Sequence, residues 1–184
     1  VDYSRLRNAI VHSTQGDDEI IAIPKKEVVE KLEHITKLVC TPPKVYDTVC
    51  RKDVLCVESD VSVKKTISLI SKSGYSNIPV IKNDEILGAA NGQKILNKLG
   101  NVINDNGDVC EYINKTKIED ILSDQNFYTF ASKNTTINEI LDMFNENRKL
   151  VVILITPNGN FLEMPIGIVT VSDILDINKI LENY

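Results

Sequence analysis

Apolar and polar residues follow two periods along this chain, and the order in which those periods alternate occurs twice. Short apolar runs at residues 55–57 and 78–81 read as strands, and between them Val63, Thr66, Ile67 and Ile70 share one face of a helix. Lys82-Asn83-Asp84 marks a turn, a further strand starts at Ile86, and residues 93–99 read as a helix. The same succession returns as a strand at 127–130 and a helix with Ile137, Ile140, Leu141 and Phe144 on one face. It continues with a strand at 150–155, the turn Pro157-Asn158-Gly159, a strand from Ile166 and a closing helix over 174–181. The two helix faces are offset by 74 positions and Gly88 and Gly167 by 79, because the second copy has a longer hairpin loop. Residues 100–108, rich in Asn, Asp and Gly, read as the linker between the copies.

Each β-α-β-β-α unit leaves one apolar sheet face uncovered, so two copies can bury those faces against each other about an approximate two-fold axis. The fold class is therefore α/β (α+β), a tandem pair of such repeats packed with pseudo-two-fold symmetry. A short helical segment precedes it. In that segment residues 2–13 can form a helix, 15–18 is a polar turn, and 20–23 is a short apolar run. From Pro24, suited to a helix's first turn, Val28, Leu32, Ile35 and Val39 recur at helical spacing. Thr41-Pro42-Pro43 ends that helix, since a residue before proline avoids the helical region. The expected divisions are 1–44, then 45–112 for the first repeat with its linker, then 113–184 for the second repeat.

Composition narrows the function classes. At 184 residues and 42% hydrophobic, the chain can bury one substantial core or two small ones. A balance of 21 basic against 26 acidic residues, net −5, argues against general affinity for nucleic acid or anionic membranes. The longest apolar run, residues 150–155, is far short of the roughly 20 residues that span a bilayer, and no signal-peptide pattern begins the chain. A soluble, cytoplasmic protein is expected. Cys40, Cys50, Cys56 and Cys110 form no Cys-x-x-Cys pair, and His12 and His34 are the only histidines, so reduced, packed thiols are expected rather than a metal site or a disulfide framework. The first residue is Val rather than Met, as in a piece of something longer.

The stretch that invites chemistry is residues 166–175, Ile-Gly-Ile-Val-Thr-Val-Ser-Asp-Ile-Leu. A buried strand here would deliver the Thr170 hydroxyl and the Asp173 carboxylate to the first turn of a helix, near backbone N–H groups that the helix cannot satisfy. That arrangement suits a ligand carrying a diol and a phosphate. The same residue types also serve as plain helix caps, with Ser172 and Asp173 in that role.

The repeat resembles the cystathionine-β-synthase (CBS) domain pair, or Bateman module, over about residues 45–184. Gly74-Tyr75-Ser76-Asn77-Ile78-Pro79-Val80 carries the likeness in the first copy, and Gly167-Ile-Val-Thr-Val-Ser-Asp-Ile-Leu175 in the second. Arg148-Lys149-Leu150-Val151-Val152 is also similar to the nucleotide-binding subunit of AMP-activated kinase. In that family a cleft combines the loop before one copy's central strand with the Thr/Ser-x-x-Asp of the other copy. The resemblance implies that Tyr75, Ser76, Asn77 and Ile78 face Thr170 and Asp173 in one pocket. Tyr75 would meet an adenine, Asp173 the ribose hydroxyls, and Arg148 or Lys149 a phosphate, with Ser59 and Asp60 closing the rim. AMP, ADP, ATP or a related adenosyl compound is the implied ligand, no cofactor is implied, and a flat homodimer is the implied assembly. The pseudo-symmetric pocket departs from the pattern, with Asn91 in place of Thr170 and Lys94 in place of Asp173. An ammonium cannot accept from a ribose diol, so that cleft is expected to be empty or to bind something else.

Arg7-Asn8-Ala-Ile-Val-His12 resembles the Arg-x4-His signature of the HEPN superfamily, whose ribonuclease members pair an arginine and a histidine across a dimer without metal. Histidine moves protons near neutral pH and arginine holds phosphate, which suits RNA cleavage. Only the tail of such a domain would fit into the residues before the repeats. The other reading places His12 near a helix C-terminus, favouring its dipole, with Arg7 on a solvated face. The leading expectation is a regulatory module that senses an adenine nucleotide and catalyses nothing itself. The alternatives are a ligand-free dimerisation platform and the regulatory half of a longer HEPN-type ribonuclease.

Overall fold

The structure is a computed structural model that describes Ser4, Arg5, Arg7, Asn8 and residues 25–122 and 127–184. It divides into two units, Val1–Thr41 and Pro42–Tyr184. In the first, the described residues Ser4, Arg5, Arg7 and Asn8 are helical and exposed, and Arg7 Nη1 donates to Asn8 Oδ1 (2.9 Å). His12, the expected turn at 15–18 and the apolar run at 20–23 lie outside the described residues. Helix α1 (Lys26–Cys40) ends at Thr41, whose N–H donates to Lys37 C=O (2.8 Å), just before Pro42-Pro43. None of its residues is buried, and Val29, Leu32, Ile35 and Val39 are exposed along it.

The second unit opens with the short helix α2 (Val45–Thr48) and is built on two three-stranded sheets. In the first repeat, β1 (Val57–Glu58) runs parallel to β2 (Asn77–Lys82), which pairs antiparallel with β3 (Glu85–Asn91). Asn83 and Asp84 both take positive φ (54° and 63°) in the two-residue turn, the geometry whose twist suits an antiparallel pair. Pro79 is tolerated in the middle strand because β1 pairs only with Val80 and Ile81, so its missing N–H breaks no bond of that ladder. The second repeat has the same order: β4 (Tyr128–Ser132) parallel to β5 (Val152–Thr156), which is antiparallel to β6 (Gly167–Thr170).

Helices α3 (Val63–Ser73) and α4 (Gly92–Asn104) belong to the first repeat, and α6 (Ile137–Glu146) and α7 (Ile174–Asn183) to the second. Caps fix their starts: Ser62 Oγ accepts from Lys65 N–H, Asn91 Oδ1 from Lys94 N–H, and Thr136 forms a reciprocal box with Glu139. Each sheet carries its own helix-side core. Val57, Val63, Ile78, Val80, Ala90 and Ile95 form one; Ala131, Ile137, Ile140, Ile153, Ile155, Val169 and Ile177 form the other. The opposite sheet faces meet through Ile86 of the first repeat and Val152, Leu154 and Ile168 of the second, as the repeat argument requires.

Two features depart from the sequence reading. The expected linker at 100–108 is largely helical, because α4 runs on to Asn104, and it is followed by α5 (Val109–Lys115) and a 3₁₀ turn at Ile118–Ile121. The connecting segments also cross over. Val45 is buried in the second repeat's core, with Val45 N–H donating to Thr135 C=O and Ile137 N–H to Pro43 C=O (both 2.9 Å). Ile118 and Ile121 are buried in the first repeat's core, with Val63 N–H donating to Thr116 C=O (3.0 Å) and Ile118 N–H to Val61 C=O (2.8 Å). Each repeat is thus completed by residues that precede the other. Among the described residues no helix is long and apolar enough to cross a membrane.

Candidate functional site

The crossing segment before β1 and the exits of the two sheets enclose a cavity of about 230 Å³. Three elements build it. From the first repeat, α3 ends at Gly74 in the left-handed region (φ 72°), its N–H bonded to Ile70 C=O (2.9 Å), and the chain turns into β2 through Tyr75 and Ser76. Strand alternation then aims Asn77 and Pro79 at the cavity. From the second repeat, the same alternation presents Ile168 and Thr170 of β6, and the 3₁₀ turn Val171–Asp173 adds Ser172 and Asp173. The third wall is Arg51, Asp53 and Leu55.

The polar centre of the cavity is the Asp173 carboxylate. Its Oδ2 accepts from Thr170 N–H (2.7 Å) and Thr170 Oγ1–H (2.8 Å), a reciprocal cap that locks the strand to the turn. A third donor is Arg51: Nη2 donates to Asp173 Oδ2 (3.1 Å) and to Thr170 Oγ1 (3.0 Å). The guanidinium also lies over the Tyr75 ring, 5.2 Å from its centre. Arg51 is held there by its own backbone, which exchanges two bonds with Ile168, N–H to C=O at 3.1 Å and the reverse at 2.9 Å. With the Arg51 side chain 37% exposed, the ion pair is worth only about 0.2–1 kcal/mol. Arg51 Nε is buried without a hydrogen-bond partner among the described residues, which offsets part of that gain.

Of the residues expected from sequence, Tyr75, Ser76, Asn77, Thr170 and Asp173 line this one cavity. The others do not. Ile78 is fully buried on the opposite face of β2, in the helix-side core, since neighbouring strand residues point to opposite faces. Ser59 and Asp60 follow β1, and β1 is parallel to β2, so they stand at the far end of the sheet. There Ser59 N–H donates to Ile81 C=O (2.9 Å), and Glu119, hydrogen-bonded first by Lys82 and then by Ser59, has its carboxyl held below the usual range. Arg148 and Lys149 are exposed in the turn before β5. That turn is the counterpart of the Tyr75 loop, because Val152 pairs with Thr170 as Asn77 pairs with Asn91. Pseudo-symmetry therefore assigns it to the other strand-helix junction.

At that other junction Asn91 caps α4 and donates from Nδ2 to Asn77 Oδ1 (2.7 Å), while Lys94 Nζ donates to Leu122 C=O. Neither offers the carboxylate found at Asp173. The sequence reading missed Arg51. Its signal was topological: a chain entering a parallel strand must pass the end where the loop before the neighbouring strand lies, so residues 51–55 had to border the cleft.

The CBS domain family model matches residues 45–101 and 118–179. Among solved structures, the CBS domain pair of protein MJ0100, in complex with 5′-methylthioadenosine and S-adenosyl-L-methionine, is 16% identical. It has a TM-score of 0.59, over 75% of this chain and 97% of that one. The CBS domain of a bacterial CNNM/CorC family Mg²⁺ transporter, in complex with ATP, is 19% identical with a TM-score of 0.57, over 82% and 96%. A protein with CBS domains from Burkholderia ambifaria MC40-6 is 17% identical with a TM-score of 0.53, over 68% and 82%. No curated protein matches the chain in sequence. At these identities the structures establish a shared fold. The two family matches fall on the two halves that enclose the cavity, and the chain belongs to the CBS-domain family as a tandem pair of CBS domains.

Proposed function

We propose that this chain is a regulatory ligand-sensing module that takes an adenine nucleotide or related adenosyl ligand into the cavity between its two repeats and performs no catalysis of its own. The observation that carries the reading is the convergence of both halves on one cavity: an aromatic loop at residues 74–77 facing a Thr170–Asp173 pair at a strand-helix exit. Asp173 accepts hydrogen bonds and so suits a ribose diol, while Tyr75, Pro79 and Ile168 offer apolar surface to a base. The adenosyl and ATP complexes of the fold relatives support the ligand class. A ligand touching both repeats would favour one arrangement of the pair, which is how binding becomes a signal.

A thermal-shift panel of adenine and guanine nucleotides tests this. A ligand at about 100 times its dissociation constant adds roughly 2.7 kcal/mol, whereas a bare scaffold does not respond. Charge-assisted bonds from two hydroxyls contribute roughly 1.5–3 kcal/mol each, so Asp173→Ala should weaken binding at least about ten-fold. An alanine variant that binds as tightly as the parent would remove Asp173 from the site. The second reading, a ligand-free platform, is favoured by the Arg51 ion pair, which occupies Asp173 Oδ2 and Thr170 Oγ1 from within the chain. A flat panel would select it.

A further inference from the structure

We infer that Arg51 sets the ligand class of this cavity, making it select phosphate-bearing adenine nucleotides over uncharged or cationic adenosyl compounds. The inference rests on the reading of the cavity as an adenine-nucleoside site.

Arg51 holds both groups that a ribose would need. Its Nη2 donates to Asp173 Oδ2 and Thr170 Oγ1, and its guanidinium covers the Tyr75 ring, against which a base would pack. Asp173 Oδ1 stays open to a hydroxyl, but a base that packs on the Tyr75 face covered by Arg51 must turn the guanidinium out. The displaced guanidinium needs a new acceptor. Arg51 is the only cationic side chain among the described residues that line the cavity, whose other charged groups are the carboxylates of Asp53 and Asp173. Its neighbour Lys52 is turned away, with its ammonium 4.5 Å from the centre of the Tyr46 ring.

The ligand must supply what Arg51 loses. A 5′-phosphate does so, because a guanidinium presents donors in a fork that matches phosphate oxygens, and Nε has no partner to give up among the described residues. Uncharged adenosine moves Arg51 off the Tyr75 ring and gives the guanidinium no anionic acceptor in return. A sulfonium ligand puts a positive sulfur on C5′, where a nucleotide puts its phosphate, and carries its carboxylate only at the far end of its aminobutyrate chain. Without Arg51, a phosphate would face Asp53 and Asp173 with no compensating charge in the lining. Selectivity thus arises as much from what the cavity refuses as from what it holds.

The test is calorimetric titration of the full chain with AMP, adenosine and S-adenosylmethionine, repeated with Arg51→Ala. The parent should prefer AMP over adenosine by at least about ten-fold, with the preference shrinking as salt rises. In Arg51→Ala, AMP should weaken and adenosine bind at least as well as before, so that the ratio falls towards one. Arg51→Gln keeps a donor for Asp173 without the charge and gives the same readout if the alanine variant fails to fold. An unchanged AMP-to-adenosine ratio in the variants overturns the inference while leaving the nucleotide site standing. Tighter binding of S-adenosylmethionine than of AMP by the parent does the same. Failure of all three ligands to bind parent and variants alike overturns the site reading, and this inference with it.

Discussion

Gly167 is fixed by a single neighbour. A Cβ built there collides with Cys50 Sγ, since the backbone of β6 runs directly against the crossing segment. Gly167→Ala should destabilise the protein by about 1–3 kcal/mol, the usual cost of overpacking, and Cys50→Ala in the same chain should restore most of it. Denaturant unfolding of the two single variants and the double variant measures the coupling; additive effects would show that the two residues do not meet. Burial pushes the Cys50 thiol from 9.0 up to about 11, and Cys56 is raised for the same reason. Both should resist alkylation at neutral pH, while the exposed Cys40 and Cys110 react. As pH rises past 9 the unfolded chain loses its Cys50 proton first, so this contribution to stability is intact below pH 9 and lost through about 11. Mass spectrometry of partially labelled protein and melting between pH 8 and 11 check both statements. At this scale a polar strand exit marked Thr170 and Asp173 in the sequence, while Tyr75, Ser76 and Asn77 came only from the family resemblance. The resemblance also named Ile78, which strand alternation turns to the opposite face, and Arg51 was missed because its side-chain partners lie 119 and 122 positions away, so that only the topology of β1 pointed to it.

At the scale of elements, long periodic segments were readable and short ones were not. Helices α3, α6 and α7 appear at the expected places, since an apolar stripe over several turns has few alternative uses. Helix α5 and the 3₁₀ turn at Ile118–Ile121 escaped notice because four to seven residues span too few turns to show a period. What stabilises them is contact with the other repeat, a tertiary effect. The Asn- and Gly-rich stretch from residue 100 continues α4 to Asn104, with Asp105 N–H closing on Asn101 C=O (2.9 Å), so composition alone placed the break too early. Helix α2 makes the same point with energy attached. It is four residues long, yet Val45 is fully buried beside Ile137 and Ile140. Val45→Ala should cost about 2–3 kcal/mol, from two lost methyl groups and the space they leave. Equilibrium urea unfolding measures it, and a loss under about 0.5 kcal/mol, the range of surface changes, would mean the segment is not anchored there.

The whole molecule combines a closed inter-repeat core with apolar surface outside it. Leu96 and Ile103 on α4 are each 60% exposed and Leu175 on α7 is 73% exposed, while the sequence carries a net charge of −5. We propose that these helices carry a homodimer contact, as the domain pair leads one to expect. Sedimentation equilibrium should give a dimer mass that Leu175→Glu lowers; a monomer at every concentration would dismiss the contact. The crossed segments have a consequence for synthesis. The ribosome releases Val45 long before Ile137 exists, so the later half's core cannot close until Ile177 has emerged, and the earlier half in turn awaits Ile118 and Ile121. Nascent chains arrested before that point should remain protease-sensitive, and no contiguous cut through the middle should leave two halves that are each self-sufficient.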